Sequence, residues 1–342
     1  MKCCPECFGD RGLRKNIIPS RSTETGQCEY CRSENVAVLS PTQLVDVFEL
    51  VISAYQTDAE GKLLVQLFRE DWGMFGHPRM DDARAEDLLV EILGDREIVR
   101  RTFSPANRSE PAGLSAWEKL REELMYRNRF FPNVNIDLER LGSLLSLLTV
   151  DAEEIPHRWY RARIQASDTP WGIDEMGAPP KRIASHGRAN PAGIPYLYLA
   201  STLSTAISEI RPQTGEIACV ADFRARENLK LVDLRNPRRM VSPFVLEDVS
   251  DVESMRSDLP FLERLGDELT RPVPPQAAAI DYTPSQYLCE FIKKCGHEGV
   301  IYRSSVGDGM NLALFDPTLA APGAVSRYRA SRVSVHVEAI EP

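Results

Sequence analysis

Apolar positions recur at helical spacing through the first half of the chain and in short, turn-bounded runs through the second. In PTQLVDVFELVISAY (41–55), Leu44, Val45, Phe48, Val51 and Ile52 share one face of a 3.6-residue period. Pro41 suits the first helical position, with Ser40 as N-cap. DDARAEDLLVEILGD (81–95) has an acidic start, a periodic apolar stripe and a stop at Gly94. SAWEKLREELMYRNRFF (115–131) reads as a helix capped by Ser115, with Glu118 completing a capping box. IDLERLGSLLSLLTV (136–150) reads as a buried helix, and RRTFSPANRSEPAGL (100–114) as an exposed loop. From about residue 155 the runs shorten. RWYRARI, YLYLA, IACVADF, LKLVDL, VIYRSS, LALF and VSVHVEA are strand-like, with helical stretches at 202–210, 252–269 and 284–296. The pattern predicts an α+β second half after a helical first half, divided near residues 150–155.

The 342 residues suffice for two domains with proper cores. A net charge of −9 argues against a general nucleic-acid binder, though not against a local basic cleft. No apolar run reaches the length of a membrane span, and MKCCPECFGDRGLRK lacks the apolar core of a signal peptide, so a cytoplasmic protein is expected. A homo-oligomer is left open.

Five of the eight cysteines fall within the first 31 residues. Cys4-x2-Cys7 and Cys28-x2-Cys31 are two knuckles of the kind that present four thiolates to one tetrahedral zinc ion. Cys3 offers a competing Cys3-x3-Cys7 pairing, but Cys4 gives the standard spacing. Four thiolates leave no open coordination position, so this zinc is structural. Cys219 and Cys289 lie in apolar segments and read as small buried hydrophobes. The expected domains are a zinc head (1–38), a helical domain (39–152) and an α+β domain (153–342).

The chemistry concentrates in GRANPAGIPYLYLASTLSTAISEIRP (187–212), which carries Arg188, Tyr196, Tyr198 and Glu209, with Arg161 and Arg163 upstream and Ser285 downstream. A guanidinium matches phosphate oxygens with a fixed fork of donors, and a carboxylate beside a ribose can stabilise a developing oxocarbenium ion. Taken singly, each has a plainer reading. Arg161 and Arg163 are surface or salt-bridge residues, Tyr196 and Tyr198 core packing, Glu209 a solvated helix residue, and Ser285 an N-cap. The glycines of GVIYRSSVGDGMN (299–311) precede a strand rather than a helix, so the dinucleotide-binding fingerprint of dehydrogenases is missing.

The ordered set Arg161, Gly187-Arg188-Ala189-Asn190, Tyr198, Glu209 and Ser285, followed by NLALFDP (311–317), resembles the RES domain family over roughly residues 155–342. Ala189 stands where the family usually has an aromatic residue. The resemblance implies a fold similar to ADP-ribosyltransferases with a cleft that takes NAD. It also implies toxins, each neutralised by an antitoxin protein, that split the nicotinamide–ribose bond with phosphate or water as acceptor. In that scheme Arg188, Glu209 and Ser285 are catalytic, Arg161, Tyr198 and Asn311 bind substrate, NAD is consumed and inorganic phosphate is a co-substrate. Transfer of ADP-ribose to a macromolecule, or a non-enzymatic partner-binding role, are the alternatives. The middle region resembles the HEPN-like segments that precede some RES domains. Its ribonuclease motif, Arg-x4–6-His, is missing there: His77 has no arginine at that spacing, and the Arg329–His336 pair lies in a strand-like segment.

Overall fold

The computed structural model describes residues 1–106, 112–334 and 337. The chain forms two compact units, Met1–Trp117 with Asn236–Arg264, and Glu118–Arg235 with Leu265–Pro342.

In the first unit, Pro5 opens the short helix Pro5–Phe8 directly after Cys4, and Gly9 closes it in the left-handed region at φ 69°. The second knuckle closes with the Arg32 N–H on the Cys28 carbonyl at 3.1 Å. Strand β1 (Glu24–Gly26) pairs antiparallel with β2 (Val36–Val38), and the Cys3 backbone bonds Leu39 in both directions. Phe8, carried in by the first knuckle, packs on Phe48 and Phe75 at centroid distances of 5.6 and 6.1 Å, and Phe48 in turn meets Phe68 and Phe244. Asp81 caps the Asp82–Leu93 helix by accepting the Arg84 N–H, and Gly94 ends it at φ 67°.

The 41–149 stretch is not helical throughout. Strand β3 (Tyr55–Leu63) pairs antiparallel with β4 (Thr102–Pro105), so part of the expected 100–114 loop is a strand; residues 107–111 of that loop lie outside the described residues. Charged and polar residues along β3 give it no apolar alternation in the sequence. The hairpin requires Gly61, where a Cβ would stand 2.2 Å from the Phe103 carbonyl oxygen. Ser115 is not a cap: the helix runs Ala112–Tyr126 and Ser115 lies inside it. The 136–150 stretch divides into the helix Leu138–Leu147 and strand β5 (Thr149–Val150).

Buried Asp10 accepts the Leu13 N–H at 2.8 Å and the Ser242 hydroxyl at 2.7 Å. Burial outweighs these donors and pushes its carboxyl up to about 6. The fold therefore holds this proton more tightly than the unfolded chain does. Its contribution to stability is full below about pH 4 and is lost as pH rises through about 6, a change of ~3 kcal/mol for a shift of about two units. Asp10→Asn, which keeps an acceptor oxygen, should be more stable than wild type at pH 8, and the gap should narrow as pH falls through about 6 and close near pH 4 in urea melts. A constant gap would mean Asp10 does not titrate in this range.

The second unit is built on an eight-stranded sheet. Its strands are β5, β6 (Arg158–Ile164), β7 (Leu197–Ala200), β8 (Ile217–Ala225), β9 (Leu231–Asp233), β10 (Gly299–Arg303), β11 (Met310–Leu314) and β12 (Ala320–Arg329), in the order β12-β8-β6-β7-β11-β10-β9-β5. All neighbours are antiparallel except β9 and β10. Strand β12 has an almost wholly exposed pattern, so no apolar alternation announced it. In the expected strand VSVHVEA, Val333 and Ser334 lie beyond β12, and His336 is outside the described residues. Ala162, Ala200, Ala206, Ala218 and Val220 form a small-residue cluster against which Tyr160, Ile207 and Ile210 pack. Short side chains let the Leu203–Glu209 helix lie close on the sheet. Thr202 caps that helix by accepting the Thr205 N–H at 3.1 Å.

Candidate functional site

Cross-strand register assembles the floor of a cleft. Tyr160 on β6 stands opposite Ala200 on β7, Ala200 opposite Asn311 on β11, and Asn311 opposite Tyr302 on β10. Directly paired residues share a sheet face, and all four line one cleft of about 510 Å³, within the ~300–1,000 Å³ of small-molecule sites. Arg161, Arg188, Tyr198, Glu209, Arg211 and Tyr282 line the same cleft.

Among the described residues the two arginines have no carboxylate partner. Half-buried Arg161 donates from Nη1 to the Tyr198 carbonyl at 3.0 Å, while its buried Nε has no partner. Burial, reinforced by Arg163 alongside, pulls its guanidinium down to about 10, which still leaves it cationic at neutral pH. Arg188 donates from Nη1 to the Arg271 carbonyl at 2.8 Å and lies over the Tyr282 ring at 5.2 Å. Neither arginine forms a salt bridge among the described residues. Two cations held this way favour an anionic ligand.

Glu209 ends its helix at the cleft. Its Oε1 accepts the Asn311 amide at 2.6 Å and the Ser304 hydroxyl at 2.7 Å. The chain then turns through Ile210 to Arg211, whose φ of 48° is uncommon for a side chain of this size, before Pro212 prevents further helix. Tyr198 is fixed from both sides: its hydroxyl donates to Asn190 Oδ1 at 2.7 Å and accepts the Ala189 N–H at 2.9 Å. Burial pushes its phenol up, and that of Tyr302 likewise, so both stay neutral.

Five of the six expected site residues therefore converge: Arg161, Arg188, Tyr198, Glu209 and Asn311. Ser285 does not line the cleft. It is fully buried and donates its hydroxyl to the Arg188 carbonyl at 2.6 Å and to the Tyr282 carbonyl at 3.0 Å, so it holds the loop that carries Arg188. Nor does it cap its helix, Thr283–Lys294, which starts two residues earlier. Arg163 turns away to the Gly177 carbonyl and the Trp171 ring. Tyr196 packs on Phe315 and donates to Glu290. Sequence reasoning missed Tyr160, Tyr282, Tyr302, Ser304 and Arg211. Tyr160 and Tyr302 could have been found only by pairing the strands correctly.

Gly187 is required by the packing around Tyr198. A Cβ there would lie 2.4 Å from Asn190 Oδ1 and 2.6 Å from the Tyr198 hydroxyl. Gly187→Ala should split the Tyr198–Asn190 bond and displace Arg188, at a cost of about 1–3 kcal/mol in stability. A thermal melt unchanged from wild type would show that the loop relaxes without loss.

Buried Cys4, Cys7, Cys28 and Cys31 bring their sulfurs within 4.8 Å of one another, and Cys3 stands outside this group. The Cys4–Cys31 and Cys7–Cys28 sulfurs are 3.4 and 3.3 Å apart. A tetrahedral ion with 2.3 Å bonds to sulfur needs about 3.8 Å between ligands, so the donors fit a metal with little movement. Hydrogen bonds from Cys4 and Cys7 hold the Cys28 thiol low, toward thiolate.

Among the described residues no helix is long and apolar enough to cross a membrane. A comparison with curated proteins finds no match. Among solved structures, the chain is similar to one from the M. tuberculosis MbcT–MbcA toxin–antitoxin complex, at 15% identity over 56% of this chain and 94% of that one, with a TM-score of 0.33. Residues 158–334, more than half of the sequence and the stretch that carries every residue lining the cleft, match the model of the RES domain family, to which this chain belongs.

Proposed function

We propose that the cleft consumes NAD by breaking the bond between nicotinamide and ribose, as an NAD phosphorylase or glycohydrolase. The bond's electron pair leaves with nicotinamide, which departs neutral. The oxocarbenium ion left on ribose is captured by an oxygen of phosphate or water, whose proton passes to solvent. Arg161 and Arg188 would hold the pyrophosphate or the attacking phosphate. Glu209 would stand by the developing positive charge, and the tyrosines would offer flat faces to base and ribose. One observation carries this reading: two arginines without a salt-bridge partner among the described residues and a carboxylate held through a single oxygen line one cleft. Ser285 enters this scheme as the residue that fixes Arg188, not as one that touches substrate.

A toxin role, a cytoplasmic site of action and an antitoxin partner come with the likeness to RES toxins. The four-cysteine group would hold one structural zinc ion. The deciding experiment incubates purified protein with NAD, with and without phosphate, and separates the products. ADP-ribose 1″-phosphate identifies a phosphorylase and free ADP-ribose a glycohydrolase. Label on a macromolecule identifies an ADP-ribosyltransferase, and intact NAD defeats the reading.

A further inference from the structure

One wall of the cleft is the connection RPVPPQAAAIDY (271–282), between the helices Val249–Thr270 and Thr283–Lys294. Val273, Pro275, Ala278 and Tyr282 face the cleft from it. Its regular structure is limited to the turn Pro275–Ala277 and the single-turn helix Ala278–Asp281, and its three prolines donate no backbone hydrogen bonds. Its backbone bonds are local, Ala277 N–H to the Pro274 carbonyl and Tyr282 N–H to the Ala278 carbonyl, and its two ends are joined by the side chain of its first residue. Arg271 Nη2 donates to the Asp281 carbonyl at 2.9 Å, tying the two ends of the connection together, and Nη1 lies 3.9 Å from the Asp281 carboxylate.

The strap has a buried anchor. Glu268 has no side-chain exposure; it meets Arg271 Nε at 3.4 Å and Arg121 Nε at 3.0 Å. Arg271 also reaches the cleft through its backbone, because its carbonyl is the acceptor for Arg188 Nη1. Tyr282, at the far end of the strap, supplies the ring beneath that guanidinium. Both fixed points of the Arg188 side chain therefore belong to the strapped segment.

We propose that Arg271, seated on buried Glu268, is a positioning residue that holds the 271–282 wall and, through its own carbonyl, aims Arg188 at the anionic part of the substrate. The identity of that substrate rests on the NAD reading; the positioning does not. Loosening the strap should weaken ligand capture more than the bond-breaking step, because Glu209 is held independently by Asn311 and Ser304. Arg271→Met leaves Glu268 paired with Arg121, so no buried charge is orphaned.

The test compares wild type, Arg271→Met and Arg271→Lys by NAD kinetics and by hydrogen exchange of the amides in 187–190 and 271–282. Arg271→Met should raise KM at least about 10-fold with kcat within about 3-fold, and exchange should quicken in both segments. Arg271→Lys restores the charge on Glu268 but not the forked reach to the Asp281 carbonyl, and should fall between. If Arg271→Met does not fold, the lysine variant carries both readouts. Unchanged KM in an NAD-consuming enzyme, or unchanged exchange in either segment, overturns the proposal. If wild type leaves NAD intact, the NAD reading has failed, and exchange alone decides the positioning role.

Discussion

Glu209→Gln should lower NAD turnover by at least about 100-fold, the scale of removing one preorganised electrostatic stabiliser, or ~3 kcal/mol of barrier. The substitution isolates charge from geometry. Glu209 uses one oxygen to accept from Asn311 and Ser304, and the amide oxygen of glutamine can accept both bonds in its place. Shape, volume and the two anchoring contacts survive; the negative charge facing a cationic ribose does not. The loss should appear at saturating NAD, as a fall in kcat, because the charge matters most when the glycosidic bond is nearly broken. Steady-state NAD consumption alongside a thermal melt provides the check. A folded variant that turns over at the wild-type rate would remove Glu209 from the mechanism.

The cleft was legible in the sequence as an ordered set of residues, but its assembly was not. Arg161, Arg188, Tyr198, Glu209 and Asn311 are spread over about 150 positions; the pairing of β6, β7 and β11 gathers Arg161, Tyr198 and Asn311, while Arg188 arrives on a loop and Glu209 on a helix end. Strand order is a long-range property, and the alternation within each strand does not encode which neighbour it takes. For this reason the sequence does not place Tyr302: its strand is clear in VIYRSS, but its position beside Asn311 is not. Ser285 shows a different limit. Its helix and its neighbours were legible, and its type fitted an N-cap or a substrate contact. Which carbonyl a buried hydroxyl finds depends on packing, here the backbone of a residue 97 positions away. Where the sequence reading missed outright, at β3, β4 and β12, the strands are short or largely polar and exposed, so pairing rather than burial of one face defines them.

The cysteine group should retain about one equivalent of zinc through purification, and losing the ion should unfold the head. Two tight turns that crowd four sulfurs together are costly to hold without a ligand, and structural zinc supplies an apparent ~10–16 kcal/mol at neutral pH. The consequence extends past the ligands because Cys7 is followed directly by Phe8, which is fully buried against Phe48 and Phe75, and the Phe8 carbonyl accepts the Phe75 N–H at 2.8 Å. Releasing the first knuckle therefore withdraws an aromatic side chain from the core of the first unit, itself worth about 3–5 kcal/mol by analogy with truncating a buried phenylalanine. Cys7→Ser, or a strong chelator, should abolish metal content and lower the melting temperature of that unit. Cys3→Ser should keep the ion, since the Cys3 sulfur stands outside the cluster. Less than half an equivalent of zinc in wild type, or a Cys3→Ser variant that loses zinc as Cys7→Ser does, would show that the four-sulfur assignment is wrong.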